Sequence, residues 1–213
     1  MKLIYSAVFA YMIGSIPTAY LIGRVFFGFD IRKRGTGNMG ASNMVSVMGW
    51  KIGILTGAID FMKGMGTILI IKGVDPNWTY QMLFVASTFA TIGHMYAIFL
   101  GFKGGKGTAT LAGGLMGLDY QVALICMTIL LIFIAITDYS APGVIAVSSV
   151  MIFLFRIFGY RWGISLMLLP IATIMISRNL ENLHRISSGK ETGLKAYIRR
   201  KKKERSPTEG AQG

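Results

Sequence analysis

Apolar residues in this chain gather into long runs separated by short polar segments, not into alternating strands or one-faced stripes. Seven such runs predict helices, at about 3–23, 52–72, 78–100, 108–118, 121–137, 142–159 and 162–177. About 20 apolar residues in a helix cross a bilayer, and a helix satisfies its own backbone there. The fourth run, rich in glycine and alanine, is too short to cross alone. It must be tilted, re-entrant or packed deep among other helices. The expected fold is an all-α polytopic membrane protein with about seven transmembrane helices.

Composition agrees with this pattern. The chain is 53% hydrophobic and 15% charged, and a soluble domain of 213 residues has too little interior to hide that much apolar surface. One integral-membrane domain over 1–194 is expected, followed at 195–213 by a basic tail that is disordered or lies on lipid headgroups. The first run reads as a retained helix rather than a cleaved signal, because so many spans follow it. The single cysteine, Cys126, lies within an apolar run and has no metal-ligand spacing around it, so it reads as a small packing residue. No metal and no cofactor are expected.

Charge gives an orientation. Of the 22 Lys and Arg, only Lys2, Lys63, Lys72, Arg156 and Arg161 lie outside three segments: 24–51, the turn at 103–106, and the stretch from Arg178 onward. Even numbers of predicted crossings separate these segments, so all three fall on one face. Lys/Arg-rich short loops stay cytoplasmic. The N-terminus is therefore expected outside and the C-terminus inside. The net +13 charge then reflects topology plus attraction to anionic membrane lipids, about 1 kcal/mol for each juxtamembrane cation. No soluble module is left to bind nucleic acid.

Three polar constellations share that basic face. In the first, over 30–43, glycines at 35, 37 and 40 alternate with Arg32, Thr36, Asn38, Ser42 and Asn43, all able to donate to oxyanions. The second, Gly93–Gly107, begins with Gly93 and His94, followed by Met95 and Tyr96, and closes with Lys103, Gly104, Gly105, Lys106 and Gly107. Glycines let backbone N–H groups approach an anion closely, and the lysines supply charge. A Walker A loop is excluded because Leu100 and Gly107 stand where Gly and Ser/Thr are needed. For His94 two readings stand: a buried hydrogen-bonded residue, or a group of the site. The third constellation, 179–191, holds Asn182 and Arg185 on one helix face, with His184 and Glu191 nearby. A fourth feature lies inside the second run. Asp60 and Lys63, each costing about 2.5–3.5 kcal/mol at a bilayer centre, are spaced to pair, as a structural ion pair or as a substrate contact.

Neither a Ser–His–Asp order nor paired catalytic carboxylates can be drawn. The chemistry implied is the binding and orientation of phosphate-bearing reactants. The three constellations resemble the three cytoplasmic motifs of the PlsY family, bacterial membrane acyltransferases, and the resemblance runs from about Gly14 to Glu191, most specifically through residues 35–43, 60–64 and 93–107. Carried over, Gly104, Gly105, Lys106 and Gly107 match the family's glycerol 3-phosphate loop, and Thr36 stands where the family has a serine. Asn182, Arg185 and Glu191 match polar positions of the third motif. The chain departs from the family pattern at Ser46, which stands for an arginine after the first motif, at Asn179, which stands for the histidine that opens the third, at Ala97 for a proline, and at Ser140-Ala141-Pro142-Gly143 for a serine-bearing stretch.

The resemblance implies transfer of a fatty acyl group from acyl phosphate to the primary hydroxyl of glycerol 3-phosphate, giving lysophosphatidic acid. The expected catalytic residues are Thr36, Asn38, Asn182 and His184. The expected substrate-binding residues are Arg32, Asn43, His94, Lys103, Gly104, Gly105, Lys106, Gly107 and Arg185, with Asp60, Lys63 and Glu191 structural. His94, His184 and a substrate phosphate oxygen all stand as proton acceptors. The implied location is the bacterial inner membrane, with the site facing the cytoplasm. The alternative is a catalytically impaired relative that binds or transports a phosphorylated lipid precursor, and nothing in the sequence indicates an oligomeric state.

Overall fold

The computed structural model describes residues 1–75, 77–191 and 193; the basic tail expected over 195–213 lies outside them. The described chain forms ten α-helices: α1 (Lys2–Gly14), α2 (Thr18–Leu21), α3 (Ala41–Met48), α4 (Trp50–Val74), α5 (Tyr80–Met95), α6 (Thr108–Leu118), α7 (Tyr120–Thr137), α8 (Ser140–Ile157), α9 (Trp162–Leu166) and α10 (Leu169–Ser187). Six stretches are long and apolar enough to cross a membrane: Lys2–Phe26, Trp50–Val74, Tyr80–Leu100, Tyr120–Thr137, Ser140–Ile157 and Trp162–Ser187. On α7, Leu124, Leu131, Ile132 and Ile136 are exposed, a surface suited to lipid rather than water.

The short fourth run is α6, and its 11 residues reach only about 16 Å at 1.5 Å per residue. It is enclosed by α4, α5 and α7, with Thr110, Leu111, Gly113, Gly114, Leu115, Gly117 and Leu118 buried. Of the three sequence options, deep packing is the one found. Small residues allow it: a methyl group on Gly113 would stand 1.9 Å from the Phe61 carbonyl oxygen, and one on Gly64 2.0 Å from that of Thr110. Helices α4 and α6 therefore meet backbone to backbone.

The first run is broken where the sequence suggests one continuous helix. Pro17 lacks an N–H and restricts the residue before it, so α1 ends at Gly14 and the chain resumes at α2. Carbonyls left open by such a break must find donors inside a membrane. Lys63 supplies them, its Nζ donating to the carbonyls of Ile16 at 2.7 Å and Gly14 at 3.2 Å. Asp60 balances that charge at 2.9 Å and accepts the Thr18 hydroxyl at 2.7 Å. The ion pair of α4 thus stitches the broken span to its neighbour.

The main core joins Ile68, Phe84, Met95, Leu115, Val122, Met151, Phe155, Ile171 and Met175. A second cluster, Ala19, Ile22, Ile31, Met39 and Met44, lies under the glycine-rich segment 30–43. It fixes that segment at one end of the bundle. At the other end Lys2 pairs with Asp75, and the Tyr160 hydroxyl donates to Asp119 at 2.7 Å.

Candidate active site

A cleft of about 590 Å³ opens at the end of the bundle that carries the glycine-rich segments. Three pieces of chain build it: the loop before α3, the turn between α5 and α6, and the last turns of α10. The α7–α8 connection adds Asp138, Tyr139, Ser140 and Ala141 to its lining.

Asn43 organises the first piece. Its buried amide oxygen accepts the Thr36 N–H at 2.9 Å, and its nitrogen donates to the carbonyls of Asn38 at 2.8 Å and Arg34 at 3.1 Å. The chain is thereby curled so that Thr36, Asn38, Asn43 and Ser46 line the cleft. The Oδ1 of Asn38 is buried without a partner among the described residues, an acceptor left for a donor in the cleft. Arg32 does not reach the lining. It folds onto Asp30, Nη2 to Oδ2 at 2.7 Å, and lies 5.0 Å over the Tyr20 ring. Donation from Arg32 holds the Asp30 carboxyl down at about 2.

The glycine turn lies directly on His94. The His94 carbonyl accepts the Gly105 N–H at 3.1 Å. A methyl group on Gly105 would come within 2.2 Å of the His94 ring, and one on Gly104 within 2.0 Å of its carbonyl oxygen. Only glycine permits this seat. The His94 ring turns away toward Asp60 Oδ1 at 3.5 Å and Lys63 Nζ at 3.4 Å. His94 therefore supports the turn from beneath and does not line the cleft, contrary to the expectation that it binds substrate. Lys103, Gly104 and Lys106 do line it, whereas Gly105 and Gly107 sit behind them. Burial drives the Lys106 ammonium down to about 8, with Glu191 and Glu181 opposing the shift and Arg178 and Arg185 adding to it.

From α10, Arg178, Glu181, Asn182 and Arg185 line the cleft. Glu191 folds back onto this helix, accepting from Asn182 Nδ2 at 3.0 Å and from Arg185 Nε at 2.8 Å. Asn179 is buried; its Oδ1 lies 3.5 Å from Lys106 Nζ, and its nitrogen donates to the Met175 carbonyl at 2.8 Å. His184, expected to be catalytic, is exposed and off the lining, because its place in the helix turns it away from the face that carries 178, 181, 182 and 185.

A model of the glycerol-3-phosphate acyltransferase family matches residues 4–189. The chain belongs to that family. Among its relatives, the glycerol-3-phosphate acyltransferase of Aquifex aeolicus is 37% identical over 195 residues, covering 90% of this chain and 98% of the relative. Glycerol-3-phosphate acyltransferase 2 of Moorella thermoacetica is 35% identical over 187 residues, covering 88% and 95%. The crystal structure of PlsY (YgiH), an integral membrane glycerol 3-phosphate acyltransferase, in its glycerol 3-phosphate form superimposes with a TM-score of 0.82. Sequence identity to it is 30%, with 91% of this chain and 96% of that one covered. Its lysophosphatidic acid form gives 0.79.

Sequence reading missed Arg178, which it used only to count charge. The signal was present in the spacing: residues 178, 181, 182 and 185 recur at the i, i+3, i+4, i+7 interval of one helical face. Asp138 and Tyr139 carried no comparable signal, since they reach the cleft only through the packing of α7 and α8.

Proposed function

We propose that this protein is a membrane acyltransferase that moves a fatty acyl group from acyl phosphate to the primary hydroxyl of glycerol 3-phosphate. The product is lysophosphatidic acid. The observation that carries this reading is the convergence of Lys106, Arg185 and the Gly104 turn with Thr36, Asn38 and Asn182 around one cleft, in a chain whose relatives are named glycerol-3-phosphate acyltransferases.

In the proposed reaction the phosphate of glycerol 3-phosphate occupies the glycine turn beside Lys106. Thr36, Asn38 and Asn182 orient its primary hydroxyl against the acyl carbonyl carbon. The hydroxyl oxygen forms the new ester bond as the bond from carbonyl carbon to phosphate oxygen breaks. Neither histidine lines the cleft, so the hydroxyl proton goes to an oxygen of the departing phosphate. Arg185 and Lys106 oppose the negative charge that develops, and holding both reactants in one cleft supplies the orientation on which such a transfer depends.

The rival reading, an impaired binder or transporter, drew on Ser46 and Asn179. The family match and the names of the relatives do not favour it. The seven-crossing topology with the N-terminus outside is supported by the six long spans together with α6. Lys72 near the far end of α4 donates to the Gly117 carbonyl at 2.6 Å, so α6 carries the chain from the cleft toward the opposite end. The clustered Lys and Arg support a cleft on the cytoplasmic side of the bacterial inner membrane, near anionic lipids.

Lys106→Ala tests the phosphate seat. The KM for glycerol 3-phosphate is expected to rise about ten- to hundredfold, the scale of one lost charge-assisted hydrogen bond. An unchanged KM in folded protein would remove Lys106 from that role.

A further inference from the structure

Arg178 bridges two segments that the sequence keeps far apart. Its Nη2 lies 2.8 Å from the Gly105 carbonyl oxygen, 3.3 Å from that of Met95 and 3.5 Å from that of Gly104. The same guanidinium sits 5.2 Å over the ring of Tyr96. One cation on α10 therefore grips the end of α5 and the glycine turn together.

The grip fixes an orientation. In a trans peptide the carbonyl and the following N–H point in opposite directions. With the Gly105 carbonyl turned onto Arg178, the Lys106 N–H points the other way. The Gly105 N–H is already committed to the His94 carbonyl at 3.1 Å. Gly105 is thus held from both sides, by His94 beneath and by Arg178 from α10. A turn with two adjacent glycines would otherwise sample many conformations, and an anion site needs its N–H groups set in advance.

We propose that Arg178 is a positioning residue for the phosphate seat, acting through the Gly104–Lys106 backbone and not by contact with the reacting atoms. This rests on the reading that the glycine turn holds the phosphate of glycerol 3-phosphate. It also gives a role to a group placed one residue before Asn179. Arg178 holds the main chain of the turn while Asn179 stands by the Lys106 ammonium, so α10 sets both halves of the seat.

The test compares Arg178→Ala, Arg178→Lys, Gly105→Ala and the Arg178→Ala/Gly105→Ala double variant in purified, detergent-solubilised enzyme. Size-exclusion profiles serve as the check on folding. Arg178→Ala should raise the KM for glycerol 3-phosphate about ten- to hundredfold. The kcat and the KM for palmitoyl phosphate should move by less than about threefold, because neither reports the phosphate seat alone. Arg178→Lys should recover part of the loss, and the double variant should be little worse than Gly105→Ala. An unchanged KM for glycerol 3-phosphate, a loss confined to kcat, or full additivity with Gly105→Ala would overturn the proposal. If Arg178→Ala does not yield folded protein, Arg178→Gln carries the same comparison, since it keeps a donor without reaching all three carbonyls. Lys106→Ala is measured alongside. A raised KM there with no effect at Arg178 rejects only the positioning role, whereas no effect at either residue rejects the phosphate seat itself.

Discussion

Replacing Lys63 with Met should weaken the protein more than any change of similar size on its lipid-facing surface. The substitution keeps length and apolar volume but removes the only charge paired at 2.9 Å with Asp60 within α4. It also withdraws the donor from the carbonyls of Gly14 and Ile16. Breaking a buried ion pair by deleting one partner costs about 3–5 kcal/mol. For a chain of this size each kcal/mol moves the melting temperature by about 2–4 °C, so a fall of about 6–20 °C is expected. Membrane proteins often unfold irreversibly, so the comparison needs one detergent and one scan rate. A second variant, Asp60→Leu/Lys63→Met, removes both charges and leaves the Gly14 carbonyl and the Thr18 hydroxyl without these partners, at about 1–3 kcal/mol each, while the Ile16 carbonyl keeps the Thr18 N–H at 3.1 Å. It should melt between the wild type and the single variant. A single variant within about 2 °C of wild type would refute the idea that this pair closes the break at Pro17. A double variant less stable than the single one would refute the charge accounting.

Other consequences can be checked with similar preparations. Asn43→Ala removes three hydrogen bonds that curl the 30–43 loop, so kcat/KM should fall for both substrates by at least about tenfold; an effect on only one substrate would contradict an organising role. Gly113→Ala places a methyl group 1.9 Å from the Phe61 carbonyl oxygen and should lower thermal stability sharply, whereas Gly163→Ala, with open space around it, should not. The Lys106 ammonium, lowered to about 8, is charged below that pH and neutral above it. The kcat/KM for glycerol 3-phosphate should therefore fall as pH rises through about 8 in the free enzyme, while kcat holds to higher pH because the bound phosphate dianion favours the charged amine. A kcat/KM that stays flat to pH 10 would show that Lys106 is not the titrating partner.

Much of the architecture could be read from hydrophobic run length alone, because a bilayer forces each crossing to be long, apolar and helical. The count was harder. Run 108–118 has the composition of a span and not the length, and only the contacts of Gly64 and Gly113 place α6 inside the bundle. The break after Gly14 was hidden for a related reason. A proline in an apolar run looks tolerable until the partner of the freed carbonyls is known, and here that partner is Lys63, some 46 residues away in the sequence. At the site, the glycine-rich and basic segments stood out by composition, and they meet at one cleft. What a composition cannot reveal is direction. Arg32 lies among cleft residues in sequence yet turns to Asp30 and Tyr20. His94 adjoins the turn but faces Asp60, and His184 points off the helix face that Arg178, Asn182 and Arg185 share.

The donor decides the central claim. Purified protein supplied with glycerol 3-phosphate and palmitoyl phosphate should yield lysophosphatidic acid, and the same protein supplied with palmitoyl-CoA should yield none. Product from palmitoyl-CoA alone, or no product from either donor in folded protein that still binds glycerol 3-phosphate, would contradict the account.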